Sequence, residues 1–465
     1  MSVRSEPLQS TGAGAARLRG FCARASTMAT AFSLILTMLI STLVMDQIGL
    51  ANYATSGGTI LEKVHPGTWM AFLALALKLG ADSHPVRALH RQMSRAPQLL
   101  FYLLAVVAAG AHSVMVSKSP ITPLIDTFLA PLAYFLLLED LDEPTSRRLA
   151  WLVGAFLAAN ALIGLAEFVT GWRLITFNLP ANVTDDPRHA PGMVFDWRAA
   201  LAKDGRPTAV LGHPLTNASI TGVFVATLYA RDAGWIAPGL RTPLLVLGTL
   251  ALFAFGGRAS LVVTLIVLAA MSVGWLFRAA SGGVRISLRR WAYVLLAAPL
   301  LLACVQALIE SGFFDRVLDR FSHDAGSAET RSKMFDLFQA FSLESLLLGP
   351  DQAVLATQQR VEGLEFGVES FVVGFILDYG LLITALLLAG LGAFIAAMLQ
   401  VRGRGAIPGL TVFFVVAVTA ESISAKTTMF GLVVSLILLF IRPERRQAWR
   451  ISGETPGAPA RLGSR

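Results

Sequence analysis

The chain has 465 residues, 55% of them hydrophobic and 15% charged, with a formal net charge of +8 and a mean hydropathy of +0.63. So apolar a composition excludes an ordinary soluble globular domain and makes a bilayer the solvent for most of the chain. The positive residues fall in short clusters between apolar runs, a pattern that orients membrane helices, so no nucleic-acid partner is expected.

A helix needs about 20 apolar residues to cross the hydrocarbon. On that criterion residues 1–26 form a disordered cytoplasmic tail. Spans follow near 27–46, 66–82, 98–117, 121–139, 148–170, 208–230, 240–256, 258–278, 291–309, 367–400, 407–424 and 428–442. These runs predict an all-α, polytopic integral membrane protein of about 12 transmembrane helices. One membrane domain covers 27–442 and a basic cytoplasmic tail covers 443–465. The run 367–400 is too long for one straight crossing and is expected to bend near Gly380. The first run lacks a small-residue cleavage site and reads as a signal anchor. Cys22 and Cys304 fall in the tail and in a span, so neither a disulfide nor a metal site is expected.

Arginines set the orientation. Arg17, Arg19 and Arg24 precede the first span; Arg87, Arg91 and Arg95 follow the second; Arg147 and Arg148 follow the fourth; Arg278, Arg402 and Arg442 follow the eighth, tenth and twelfth. All land on one side if both termini are cytoplasmic. The long loops 171–207 and 310–366 then face the far side, the periplasm of a Gram-negative cell, which places the protein in the inner membrane. The stripe Phe313, Phe314, Val317, Leu318 and Phe321 opens the second loop and is expected to lie in the interface.

Four motifs reach that far side. GRPTAVLGHPLTNA supplies Arg206, His213 and Asn217; FGGRAS supplies Arg258; TRSKMF supplies Arg331 and Lys333; VESFVVGFILDYG supplies Glu369 and Asp378. Guanidinium forks suit a diphosphate because they donate bidentate, charge-assisted hydrogen bonds. Each residue also has a plainer reading: Arg206 and Arg258 as snorkelling helix ends, His213 as a packing histidine, Arg331 and Lys333 as the solvated face of an interfacial helix. Lys78, His112, Asp126, Glu167, Glu421 and Lys426 read as structural. Phosphate-loop, dinucleotide, HExxH and GxSxG patterns are absent, leaving a site with no metal and no cofactor expected.

These motifs resemble the O-antigen ligase and Wzy-type polysaccharide polymerase superfamily. GRPTAVLGHPLTNA together with KVHPGTW at Lys63 to Trp69 resembles its VpsF-like exopolysaccharide branch. FGGRASLVV resembles the family's Ser-Arg-Gly span start, TRSKMFDLFQAF its loop arginine helix, and ESFVVGFILDYGL its entry to the following span. Where the family pattern has His-Asn, this chain has Glu369 and Ser370, and the later Glu is Asp378. The resemblance implies glycosyl transfer from an undecaprenyl-diphosphate-linked glycan to an acceptor hydroxyl. Arg206, Arg258, Arg331, Lys333 and Asn217 would hold the donor, and Glu369 and His213 would act in catalysis. Expected partners are the lipid-linked oligosaccharide, membrane lipids and other polysaccharide biosynthesis and export proteins. A flippase or transporter of lipid-linked or acidic glycans, with Glu369 and Asp378 carrying protons, and a non-catalytic subunit of an export complex stay open as alternatives.

Overall fold

The computed structural model describes residues 10–40, 45, 59–117, 121–172, 174, 206–230, 236–278, 280–281, 306, 310, 333–362, 364, 368, 370–419, 423 and 427–443. Among these the chain is helical and has no strand. The helices used below are α1 Ser10–Leu39, α2 Pro66–Gly80, α3 Pro85–Arg95, α4 Gln98–His112, α5 Ala130–Leu138, α6 Glu143–Thr170, α7 Pro214–Tyr229, α8 Pro238–Phe255, α9 Arg258–Arg278, α10 Leu343–Leu348, α11 Gln352–Val361, α12 Phe371–Arg402, α13 Ile407–Thr419 and α14 Met429–Phe440. Proline opens α2, α3, α7 and α8, where its missing N–H has no intrahelical partner to lose. Gly171 and Gly256, at φ 70° and 67°, close α6 and α8 in the left-handed conformation.

Five stretches among the described residues are long and apolar enough to cross a membrane: Gly14–Leu39, Gln98–Val116, Glu143–Thr170, Arg258–Arg278 and Phe371–Thr419. Thr122–Leu138, Gly239–Phe255 and Met429–Phe440 are shorter apolar helices. The chain is therefore an all-α protein of membrane-embedded character. α9 shows why: Val262, Leu265, Ile266, Val273, Leu276 and Phe277 stand exposed along it, an apolar surface that water would not tolerate and lipid would. The ninth expected span and the stripe Phe313–Phe321 lie outside the described residues.

Two expectations change in detail. The first helix begins at Ser10, well ahead of 27, because AARLRGFCARAS is rich in good helix formers and free of proline. The second long loop is folded where it is described, with a 3-10 turn at Leu337–Ala340 followed by α10 and α11.

Contacts between helices sort their ends onto two faces of the bundle. At one face Arg95 pairs with Asp140 at 2.8 Å, Gln400 donates to the Arg95 carbonyl, and Arg402 reaches the Leu138 carbonyl at 3.5 Å. At the other, His65 Nε2 meets the Ile40 carbonyl at 2.7 Å, and the His65 N–H donates to Asp126 at 3.1 Å. Helix α12 is broken at Gly380, φ 78° and ψ 163°, as its length led us to expect. At 1.5 Å per residue the unbroken helix would run about 48 Å, well past the ~30 Å hydrocarbon, whereas the part after Gly380 matches it. Lipid-side exposure begins directly after the break, at Leu381 and Leu382.

The centre of the bundle is α14, every residue of which is buried. Its Phe430 stacks on Phe413 of α13 with centroids 5.5 Å apart and meets Phe394 of α12 edge-on. Phe440 packs edge-on against Phe224 of α7.

A clamped loop between two parallel helix starts

The segment Arg206–His213 is held from behind by three buried side chains. Asn160 and Glu167 lie two turns apart on one face of α6, and Asn217 lies in the first turn of α7. One oxygen of Glu167 accepts the N–H groups of Thr208 and Ala209, each at 2.9 Å, and the other accepts that of Leu174 at 3.1 Å. Asn160 accepts the Val210 N–H at 2.9 Å and donates to the Asn217 side-chain oxygen at 2.7 Å. Asn217 in turn donates to the carbonyls of Thr208, at 2.6 Å, and His213, at 3.0 Å. The loop so held includes Ala209 at φ 40°, a left-handed conformation that a residue with a Cβ disfavours.

Beside this loop begins α9. A methyl group built on Gly257 would lie 2.5 Å from Cβ of Ala218, one on Gly222 would lie 2.6 Å from Oγ1 of Thr264, and Tyr229 and Ser272 share a hydrogen bond of 2.7 Å. The pairs 218 with 257, 222 with 264 and 229 with 272 advance together, so α7 and α9 run parallel. Their N-termini share one face, the face of the clamped loop. Peptide dipoles leave partial positive charge at such ends. Arg206 and Arg258 stand there half-buried, and His213 stands exposed as the residue before α7, with no side-chain cap on that helix. Two helix starts and two arginines on one face are an arrangement whose donors and positive charge are chemically suited to an anion.

No family model matches this chain, and no curated protein and no solved structure matches it either. The functional reading therefore stands on the geometry and on the motifs.

Of the residues expected at the site, Arg206, His213 and Arg258 are brought to one face by this arrangement. Asn217, expected to contact the donor, is fully buried with its amide engaged inside the protein, so it holds the loop instead. Lys333 directly precedes Met334, which with Leu337, Leu355 and Leu364 forms a separate apolar cluster with Val368, Val373 and Leu377. Arg331 and Glu369 lie outside the described residues. Asp378 is half-buried two residues before the break in α12, and among the described residues no hydrogen bond or ion pair reaches it. His65 of KVHPGTW is buried and caps α2, its Nδ1 accepting the Gly67 N–H at 2.9 Å. Among the described residues no three His, Cys, Asp or Glu side chains are grouped so as to hold a metal. Asn160 is what sequence reasoning missed, and Glu167, read there as structural, holds the loop beside it. Their seven-residue spacing on one face of an apolar helix was the available signal.

Proposed function

We propose that the protein is a membrane glycosyltransferase of the polysaccharide polymerase or O-antigen ligase type, using an undecaprenyl-diphosphate-linked glycan as donor. The observation that carries this reading is the convergence of two parallel helix N-termini with Arg206 and Arg258, which suits a diphosphate at the membrane surface. In the reaction the acceptor oxygen bonds to the anomeric carbon. The bond from that carbon to the diphosphate oxygen breaks, its electron pair leaves with the diphosphate, and the hydroxyl proton passes to a base. Glu369, by its place in the motif, is the first candidate base, and His213, at the anion site itself, is the second. About twelve spans, cytoplasmic termini and an inner-membrane location complete the reading.

Proteoliposomes loaded with lipid-linked oligosaccharide are expected to consume the donor and form longer or acceptor-linked glycan. Arg206→Lys and Arg258→Lys keep charge but lose the fork, and each is expected to slow turnover about tenfold or more. Wild-type rates in both variants would reduce the arginines to snorkelling residues. Donor crossing the bilayer intact would favour the transporter reading, to which a carboxylate, Asp378, two residues before the break in α12 lends its own support.

A further inference from the structure

Glu167 lies near the end of an apolar helix, and its carboxylate is engaged by three backbone N–H groups and buried. Two of them come from consecutive residues and converge on a single oxygen, which asks for an acceptor that carries no hydrogen of its own. The second of the two is Ala209, whose φ of 40° an alanine would leave if nothing held it. Upstream of Thr208 the chain is stiff. Pro207 fixes its own φ and keeps Arg206 out of the helical region, so the direction in which Arg206 leaves is set by the turn that follows. Downstream, Gly212 donates to the Thr208 carbonyl at 3.0 Å, which ties His213 to the same turn.

We propose that Glu167 is a positioning residue of the anion site: it fixes the Thr208–Ala209 turn and through it presents Arg206 and His213 beside Arg258. This rests on reading that site as one for a lipid diphosphate. It assigns to a carboxylate the task of organising a site for anions, with backbone N–H groups of the loop donating to its oxygens. An ordinary structural role would leave the loop in place whenever the protein is folded. A positioning role ties loop geometry and anion affinity to Glu167 at unchanged overall stability.

Two measurements on the full-length protein in nanodiscs separate these. In a background with Cys22 and Cys304 replaced by serine, spin labels at Arg206→Cys and Arg258→Cys are expected to give a narrow distance distribution that broadens with Glu167→Met, which keeps the side-chain length and removes the oxygen acceptors. In the chain with its arginines intact, farnesyl diphosphate is expected to bind, and Glu167→Met is expected to weaken it about tenfold, since apparent affinity falls with the fraction of loop in the competent state. A distribution unchanged by Glu167→Met overturns the positioning role. Failure of the wild-type protein to bind farnesyl diphosphate overturns the diphosphate reading instead, and the label distances still decide the role of Glu167. Should Glu167→Met not fold, Glu167→Asp keeps the carboxylate and draws it back by one methylene from the Thr208 and Ala209 N–H groups. It is expected to broaden the same distribution, and a narrow one counts equally against the proposal.

Discussion

Replacing Gly380 by alanine tests how α12 is broken. The native φ of 78° with ψ 163° lies in a region that only glycine occupies readily, and a side chain there costs about 1–3 kcal/mol. The added methyl would also fall 2.6 Å from the Leu347 carbonyl oxygen and the Leu348 carbonyl carbon, and against the Gly349 nitrogen, all backbone atoms with no rotamer to change. Overpacking of that kind costs about 1–3 kcal/mol more. Against this stands the attachment of α10, which has no fully buried residue and rests on half-buried Leu346 and Leu347. Half-burying two leucines is worth only about 2 kcal/mol. Strain therefore wins locally: α10 is expected to lift away while the membrane-crossing part of α12 stays in place. Hydrogen exchange should rise sharply across 343–349, with little change beyond Leu381. Gly392→Ala in the same helix is the control, since a methyl there meets nothing within 4 Å and gains about 0.5–1 kcal/mol of helix propensity. Native-like exchange over 343–349 in Gly380→Ala, with stability equal to the control, would refute the packing argument.

Glu139, just past the end of α5, has its pKa raised from 4.5 to about 7, chiefly by burial and then by the charge of Asp140, with Arg95, Lys78 and Arg402 opposing. Between those two values the folded protein keeps a proton that the unfolded chain has released, so Glu139 lowers stability progressively as pH rises from about 4.5 to about 7, by at most about 3 kcal/mol. Glu139→Gln is thus expected to be neutral near pH 4.5 and stabilising at pH 8, and parallel melting curves at both pH values would contradict it. Tyr134 OH lies 2.7 Å from Ser33 Oγ and 2.8 Å from Thr37 Oγ1. Ser33 already donates to the Gly67 carbonyl and Thr37 to the Ser33 carbonyl, so the phenol is the donor and has one hydrogen to give. Tyr134→Phe is expected to cost about 1 kcal/mol in reversible unfolding, and a loss of 3 kcal/mol would mean that the hydroxyls are rearranged.

The bend at Gly380 was legible because length and backbone chemistry are written in the residues themselves. The α helices are likewise visible in composition, although hydropathy alone missed that α1 starts at Ser10, since AARLRG is helical without being apolar. Motif placement brought Arg206, His213 and Arg258 to one face. It could not show that α7 and α9 run parallel in contact, which depends on glycines and hydroxyls meeting across helices. Asn217 was misplaced for a related reason: an amide near a helix start serves a ligand or a loop equally well, and only its partners decide. Ala209 carried no signal, because alanine is the residue least expected at positive φ.

The buried centre of the bundle is made from the last helix described. During synthesis the helices before α14 are made while its place is still empty, so the faces that will receive Phe430 and Phe440 lack their partner until α14 follows. Leu432 and Leu436 line, with Leu211 of the clamped loop, the cavity beneath that loop. The loop thus acquires its floor last. A chain shortened before Met429 would keep Arg206, His213 and Arg258 and lack the support under them, and quality control in the membrane would encounter it as an unfinished protein, whatever residues its site contained.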